Sequence, residues 1–331
     1  MSTDLHDRLA RANPVPGPPE TPPDAGLLST ILATPLEPAR GLRGRFFLAG
    51  AAAAGVVVVV VAALLPGERL GPSPAAAQAL ERLAAASAAQ PAPPAHSWAY
   101  TRARTLYGGT NLDDPPYTVL YPALRESWVA ADGSGRIRET PGRPIYLNER
   151  DRAREVAGGG RTEAGATTDR RYRLLPASSW RMAATLPTDS QALEAALRRH
   201  IETNTIPAPE AGEMFAGEMR GLISSLLHSP AASAELRAAL YRVLARQEGV
   251  ELVGHVRDPE GRLGVGLEFR AGSGGGPMKK LLVVDSKTGE ILAEQTIVQE
   301  RVEWVDAEPG DVVGKIVYLE HGWVDSREER P

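Results

Sequence analysis

The residue types that could do chemistry are scattered along this sequence without the spacing that a catalytic or metal site requires. No serine lies in a G-x-S-x-G elbow, and the absence of cysteine excludes a thiolate zinc site, a disulfide and a cysteine nucleophile. The histidines include no H-E-x-x-H pair; they are His6, His96, His200, His228, His255 and His321. We therefore predict a protein that is not an enzyme and that binds no cofactor and no metal.

Glycine-rich and acidic segments do not change this reading. The stretches 158–160 and 272–276 lack the Lys-Ser/Thr ending of a P-loop, and the turns 258–261 and 285–290 lack the alternating ligands of a calcium loop. With 37 basic and 41 acidic residues the formal net charge is -4, which gives no indication of nucleic-acid binding. A hydrolase whose active-site residues are dispersed along the chain is the enzymatic alternative.

Residues 46–65 read FFLAGAAAAGVVVVVVAALL and predict a transmembrane helix. At about 1.5 Å per residue such a helix covers roughly the 30 Å of a bilayer core, and lipid would leave an isolated strand with unpaired backbone groups. The anchor includes Phe46, Leu48, Val58 and Leu65. The alternatives are a cleaved signal peptide, whose leader would be unusually long, and a buried core helix.

Basic residues on one side of this run predict its orientation. Arg40, Arg43 and Arg45 directly precede it, and the positive-inside rule then places the N-terminus in the cytoplasm and the C-terminal domain outside. We expect a single-pass protein of the cell membrane, with the lipid bilayer as its partner. Small residues recur four apart in the run, so a homodimer through this helix and a monomer are both open.

Two further segments flank the anchor. Residues 1–45 are a tail with a proline-rich stretch from Pro14 to Pro23, and they carry too little apolar content to build a core. The tail is either inert or a docking segment for a cytoplasmic protein partner. Residues 66–96 are predicted as a linker with an alanine-rich helix from Ala75 to Ala89, which is either a stalk or the first helix of the outer domain.

Residues 97–331 predict an extracytoplasmic α+β domain. Alternating strands joined by short turns, such as the hairpin around Asp132 to Gly135, must be antiparallel. Residues 141–171 are rich in arginine and glycine and poor in apolar residues, which indicates a flexible loop. We expect an antiparallel sheet, open or curved into a half-barrel, with helices on one face.

About three helices are predicted between the two groups of strands. Thr188 is the expected N-cap of the first, with Gln191 completing a capping box, and Ser233 is the expected N-cap of the third. The second covers 213–227, and the third stops at Gly249, where a positive φ is easily adopted.

Four stretches of the domain, in this order, carry a family resemblance: ESWVAADGSGRIR, LPTDSQALEAALRR, LRAALYRVLARQEGVELVGHVRDPEGRLGVGL and LLVVDSKTGEILAEQTIV. Together with the N-terminal RLARANPVP and the arginine-flanked anchor, they resemble an uncharacterised family of actinobacterial single-pass membrane proteins. The resemblance implies this architecture but no activity and no site residues. More loosely, the expected sheet is similar to the half-barrel of periplasmic lipoprotein carriers and of sensor proteins that regulate anti-sigma factors.

Trp98, Trp128 and Trp180 are the candidate residues for an apolar pocket, with a packed core as the alternative reading. The first functional hypothesis is a membrane-anchored, non-enzymatic binding or sensing module for an apolar, lipid-like ligand. The second is a transmembrane regulator whose cytoplasmic tail binds a partner such as a sigma factor.

Overall fold

A computed structural model describes residues 73–92, 94, 97–111, 117–160, 163–173, 178–204, 212–270, 278–301 and 307–331. Within these ranges no helix is long and apolar enough to cross a membrane. The predicted anchor at 46–65, with Phe46, Leu48, Val58 and Leu65, lies outside them. So do the cytoplasmic tail and the three arginines, Arg40, Arg43 and Arg45.

The described part of the chain contains six helices and ten strands. The helices are α1 (Pro74–Ala88), α2 (Glu149–Ala157), α3 (Ser178–Thr185), α4 (Ser190–Asn204), α5 (Glu213–Leu227) and α6 (Ala234–Leu244). The N-terminal strands are β1 (Trp98–Asn111), β2 (Tyr117–Ala130), β3 (Gly135–Pro141), β4 (Ile145–Tyr146) and β5 (Thr168–Tyr172). The C-terminal strands are β6 (Glu251–Arg257), β7 (Leu263–Arg270), β8 (Met278–Val284), β9 (Ile291–Val298) and β10 (Val312–Val324).

All these strands belong to one antiparallel sheet in the order β5-β3-β2-β1-β10-β9-β8-β7-β6, with β4 paired to β2. At the centre of the sheet β1, the first strand of the N-terminal group, lies next to β10, the last strand of the C-terminal group. There Trp98 pairs with Val324 and Tyr107 with Gly314. Strands β5 and β6 remain at the two edges, so the sheet is not closed. The predicted α+β class with an antiparallel sheet is confirmed.

Turn chemistry explains the hairpins. The carboxylate of Asp132 accepts a hydrogen bond from the backbone N–H of Ser134, and Gly133 has a φ of 82°. The carboxylates of Asp258 and Asp285 accept backbone N–H bonds in the same way within their own turns. These aspartates therefore organise turns between adjacent strands.

The main core lies between one face of the sheet and the helices α1, α4, α5 and α6. Leu193 of α4, Ile223 of α5 and Leu240 of α6 are completely buried there. Phe269 of β7 and Leu282 of β8 come from the sheet side of the same core. Removing each such side chain from water stabilises the fold by about 1.5–3 kcal/mol.

Helix α1 belongs to this core. Ser73 caps it by accepting from the backbone N–H of Ala76, and Leu80 and Leu83 are 0% and 1% exposed. It packs mainly against α6. Because its apolar stripe is covered by the same helices that cover the sheet, the packing favours the alternative in which this helix is the first of the domain rather than a stalk.

The segment 141–171, predicted as a flexible loop, contains ordered elements. Asn148 caps α2 by accepting from the N–H of Asp151, and strand β5 pairs with β3. An ion pair between Arg136 and Asp169, 2.6 Å apart, joins these two strands. Local polar contacts stabilise these elements, so the low apolar content of the segment did not reveal them.

Helix α4 begins one residue later than predicted. The carboxylate of Asp189, and not the hydroxyl of Thr188, accepts from the backbone N–H groups of Gln191 and Ala192. Aspartate is a somewhat better N-cap than threonine, and both residue types suit the pattern. The predicted cap of α6 is confirmed, because Ser233 accepts from the N–H of Leu236.

Candidate functional site

A cleft of about 280 Å³ opens where β1, the start of β9 and the end of β10 face the turn between α5 and α6. Leu227, Pro230 and Ile291 supply apolar wall. Its polar groups come from helices and strands alike, and they include His228, Arg237, Glu290, Tyr318 and His321. The cleft therefore combines apolar surface with several titratable side chains, as small-molecule sites do.

A buried polar network lies behind this cleft and centres on Glu294, which is 6% exposed. Its carboxylate accepts hydrogen bonds from the Ser224 hydroxyl, from His228 Nε2 at 2.9 Å and from Lys280 Nζ at 2.6 Å. The other ring nitrogen of His228, Nδ1, lies 2.8 Å from the Tyr318 hydroxyl. The network thus extends from the interior to a residue that lines the cleft.

The electrostatics of Glu294 follow from these partners. Burial alone would raise the pKa of its carboxyl, but the hydrogen bond from His228 and the charges of His228 and Lys280 outweigh burial. The pKa of Glu294 therefore lies well below its usual range. Burial together with the nearby Glu294 charge raises the pKa of Tyr318. Glu294 is thus an anion and Tyr318 a neutral phenol at any physiological pH.

This constellation contains serine, histidine and glutamate but not the order of a hydrolase triad. Ser224 is completely buried and donates to Glu294 rather than to the imidazole. A serine nucleophile needs its hydroxyl hydrogen-bonded to the base and open to substrate. The geometry fits a structural polar network.

A second acid–base pair lies on the open side of the cleft. His321 Nε2 is 2.6 Å from the carboxylate of Glu290, and the His321 side chain is 42% exposed. This hydrogen bond raises the pKa of His321, although burial acts in the opposite direction. For Glu290, burial would raise the pKa, but the hydrogen bond and charge of His321 lower it overall. The pair therefore favours the ionised form of both partners.

A smaller chamber of about 210 Å³ adjoins the cleft, and both are lined by Pro91, Pro230, Arg237 and Trp323. Its remaining wall is mainly aliphatic and includes Val129 of β2 and, in the α5–α6 turn, Ala231. Arg237, in the first turns of α6, thus stands at the junction between a polar and an apolar compartment.

The tryptophans predicted to form an apolar pocket occupy other places. Val129 packs against the α5–α6 turn, and since side chains alternate along a strand, Trp128 points to the opposite face of the sheet. There Trp128 is 1% exposed and packs with Tyr100, Val324 and Trp98. Trp98 and Trp128 therefore belong to a packed cluster and do not line the cleft. Trp180 lies in α3, and its side chain is outside the described set.

The C-terminal segment covers this tryptophan cluster. The indole N–H of Trp128 donates to the backbone oxygen of Glu329, and Arg330 donates two hydrogen bonds to Glu126, at 2.7 and 3.1 Å. Tyr100 donates to the same carboxylate at 2.9 Å. Large aromatic residues on this face are therefore buried by the chain itself.

The functional candidates that sequence reasoning missed come from three separate segments. His228 ends α5, Arg237 begins α6, and His321 lies on β10. His255, by contrast, is exposed on the edge strand β6. Within the described ranges, no three histidine, aspartate or glutamate side chains are grouped so that they could hold a metal ion. A spacing signal did exist in α5, where Arg220, Ser224 and His228 recur every four residues.

Comparisons with known proteins give little more. No family model matches this chain, and no curated protein matches it. A chain in the structure of the Pseudomonas aeruginosa MucA/MucB complex is 13% identical, with a TM-score of 0.24, over 75% of this chain and 57% of that one. A chain in the crystal structure of MucB in complex with MucA(peri) is 11% identical, with a TM-score of 0.23, over 75% and 56%. This chain thus spans little more than half the length of the structures it matches, and a likeness this weak assigns it neither a ligand nor a partner.

Proposed function

We propose that this chain is a membrane-anchored, extracytoplasmic binding or sensing module without catalytic activity, whose ligand is a small apolar or lipid-like molecule. The cleft and its adjoining chamber carry the proposal. They lie between the sheet and the helices, they are bounded by side chains from both layers, and the chamber wall is mainly aliphatic. An apolar group that enters such a chamber leaves water, which is the main source of affinity for a lipid-like ligand.

The chemistry of the site supports binding rather than turnover. The buried Ser224 has no route to a substrate, and Glu294 has its oxygens engaged by three donors. The remaining acid–base pair, Glu290 and His321, is mutually neutralised at 2.6 Å. We take the role of this pair to be orientation of a ligand through its remaining hydrogen-bonding groups.

The membrane part of the proposal rests on the sequence. The apolar run at 46–65 and the arginines before it place the outer domain close to a bilayer, from which a lipid-like ligand could enter. A protease-protection assay on intact cells tests the orientation with a tag at the C-terminus. Protease added from outside should remove the tag, and a tag protected until the cells are lysed would overturn the assigned topology. The alternative role of the tail, residues 1–45, in binding a cytoplasmic partner stays a prediction.

Native mass spectrometry of the full chain tests ligand binding. Protein released from detergent should retain a small apolar molecule, which extraction and mass analysis then identify. Ala231→Phe places a ring in the apolar chamber and should abolish retention. Ala85→Phe, at an exposed position of α1, is the matched control and should leave retention unchanged.

Failure would be clear in this experiment. A wild-type protein that carries no molecule, and that binds none of a series of short-chain alcohols and acids added to it, would overturn the proposal. Equal retention by wild type and Ala231→Phe would place the ligand elsewhere on the protein.

A further inference from the structure

Arg237 differs from the other charged residues around the cleft because its hydrogen-bonding capacity is only partly used by the protein. Its Nη1 donates to the backbone oxygen of Ala232 at 3.2 Å, while the Nε–H is buried and has no hydrogen-bond partner. A buried donor without a partner is destabilising, so such positions call for an explanation. A guanidinium presents its donors as a planar fork that matches a carboxylate or phosphate.

The charges near Arg237 do not neutralise it locally. Glu290 is the carboxylate of the cleft wall, and His321 binds it directly at 2.6 Å. Glu294, behind the wall, is matched by Lys280 at 2.6 Å. With each carboxylate held by its own cation, Arg237 leaves this part of the cleft with an excess of positive charge.

The position of Arg237 between the two compartments predicts how a ligand would be oriented. It lines both the polar cleft and the apolar chamber, and the chamber also receives the start of α6 at Ser233 and Ala234. A molecule whose apolar part fills the chamber would therefore place its head beside the guanidinium.

We propose that the ligand of this cleft is an amphiphile with an anionic head, held by Arg237, and an apolar part that lies in the chamber beside Val129 and Ala231. This inference rests on the proposed binding function and specifies its ligand class. A carboxylate and a phosphate share the chemistry that the guanidinium recognises, and the test separates a fatty acid head from that of a phosphate ester.

Isothermal titration calorimetry on the full chain in amphipol provides the test, with hexanoate, hexyl phosphate and hexan-1-ol as probes. These share one apolar chain and differ in the head. Because a charge-assisted pair is worth roughly a factor of ten or more in affinity, at least one anion should bind about tenfold more tightly than the alcohol. The anion that binds more tightly identifies the head group.

Variants at Arg237 connect the preference to this side chain. Arg237→Gln should reduce the anion preference, measured against hexan-1-ol on the same variant, to about twofold or less. Arg237→Lys keeps the charge but loses the fork, and it should retain part of the preference. Arg242→Gln, on the same helix with a side chain 42% exposed, is the matched control and should behave as wild type.

Each outcome bears on one of the two proposals. Binding of the alcohol and the anions with equal affinity would overturn the anionic-head inference and leave the binding function intact. An anion preference that persists in Arg237→Gln would also overturn it. Absence of binding by all three probes would count against the binding function itself.

Discussion

Glu294→Gln is the perturbation that most directly probes how this domain holds its helices on the sheet. The substitution keeps the size of the side chain and removes its charge. It leaves the Lys280 ammonium, whose side chain is 20% exposed, without the carboxylate that lies 2.6 Å away. It also weakens the hydrogen bonds from Ser224 and His228 of α5.

The expected loss of stability follows from the burial of the Glu294–Lys280 ion pair. Removing one member of a buried ion pair typically destabilises a protein by 3–5 kcal/mol, and the partial exposure of Lys280 places the expected loss near the lower end, at about 3 kcal/mol. For a domain of roughly 250 residues, each kcal/mol shifts the melting temperature by about 2–4 °C, so we expect a decrease of roughly 6–12 °C. Glu251→Gln, at an exposed position of β6, should change it by less than about 2 °C.

The dependence on pH gives an independent check. The pKa of Glu294 is lowered in the folded protein from its ordinary value of 4.5. Its stabilisation is therefore complete above that value and is lost as the pH falls through the folded-state pKa. Wild type and Glu294→Gln should differ most at neutral pH and converge in strong acid.

Thermal unfolding of the full chain, followed by tryptophan fluorescence, measures these differences. If Glu294→Gln melts within about 2 °C of wild type at pH 7, then the carboxylate does not organise the buried network. If the difference between the two proteins does not shrink below pH 4, the lowered pKa is wrong. Lys280→Met combined with Glu294→Gln should recover part of the loss, because it removes the uncompensated cation.

Three further substitutions test other parts of the structure. Leu240→Ala removes a completely buried side chain of α6 and should lower the free energy of unfolding in urea by about 2–5 kcal/mol. Arg330→Ala removes the cation that donates to the buried Glu126. Because Arg330 is half exposed, the free energy of unfolding should decrease by at most about 1 kcal/mol. The C-terminal segment should loosen, so an added quencher should reduce tryptophan fluorescence more than in wild type. In histidine NMR titrations His321 should titrate above its ordinary pKa of 6.5, and Glu290→Gln should lower the titration midpoint. The stabilisation that the protonated His321 gains from Glu290 is present below pH 6.5 and is lost as the pH rises through the raised pKa.

The sequence allowed prediction of the fold where local signals were strong. Alternating apolar residues and the turns at 258–261 and 285–290 identified strands β7, β8 and β9 and their antiparallel pairing. Four-residue apolar spacing identified α4 and α5. It did not reveal that β1 and β10 are neighbours at the centre of the sheet. That pairing joins strands more than 200 residues apart, and no local pattern encodes it.

The site was less predictable for the same reason. His228, Arg237 and His321 meet only because the turn after α5, the start of α6 and the end of β10 converge. Composition suggested the tryptophans instead, since large aromatics are frequent in ligand pockets. Trp128 is buried by the C-terminal segment, and no sequence pattern indicated that this segment covers it.

The four-residue spacing in α5 shows how polar contacts and the cleft are connected. Arg220 donates to the backbone oxygens of Glu248 and Arg270, Ser224 donates to Glu294, and His228 bonds to the same carboxylate. Buried polar groups tolerate only a placement that satisfies them, whereas apolar contacts such as that of Ile223 tolerate small shifts. The polar stripe therefore fixes the position of α5 along the sheet. Because His228 and the turn that follows it form one wall of the cleft, loss of the Glu294 carboxylate should weaken ligand binding even though Glu294 lies behind that wall.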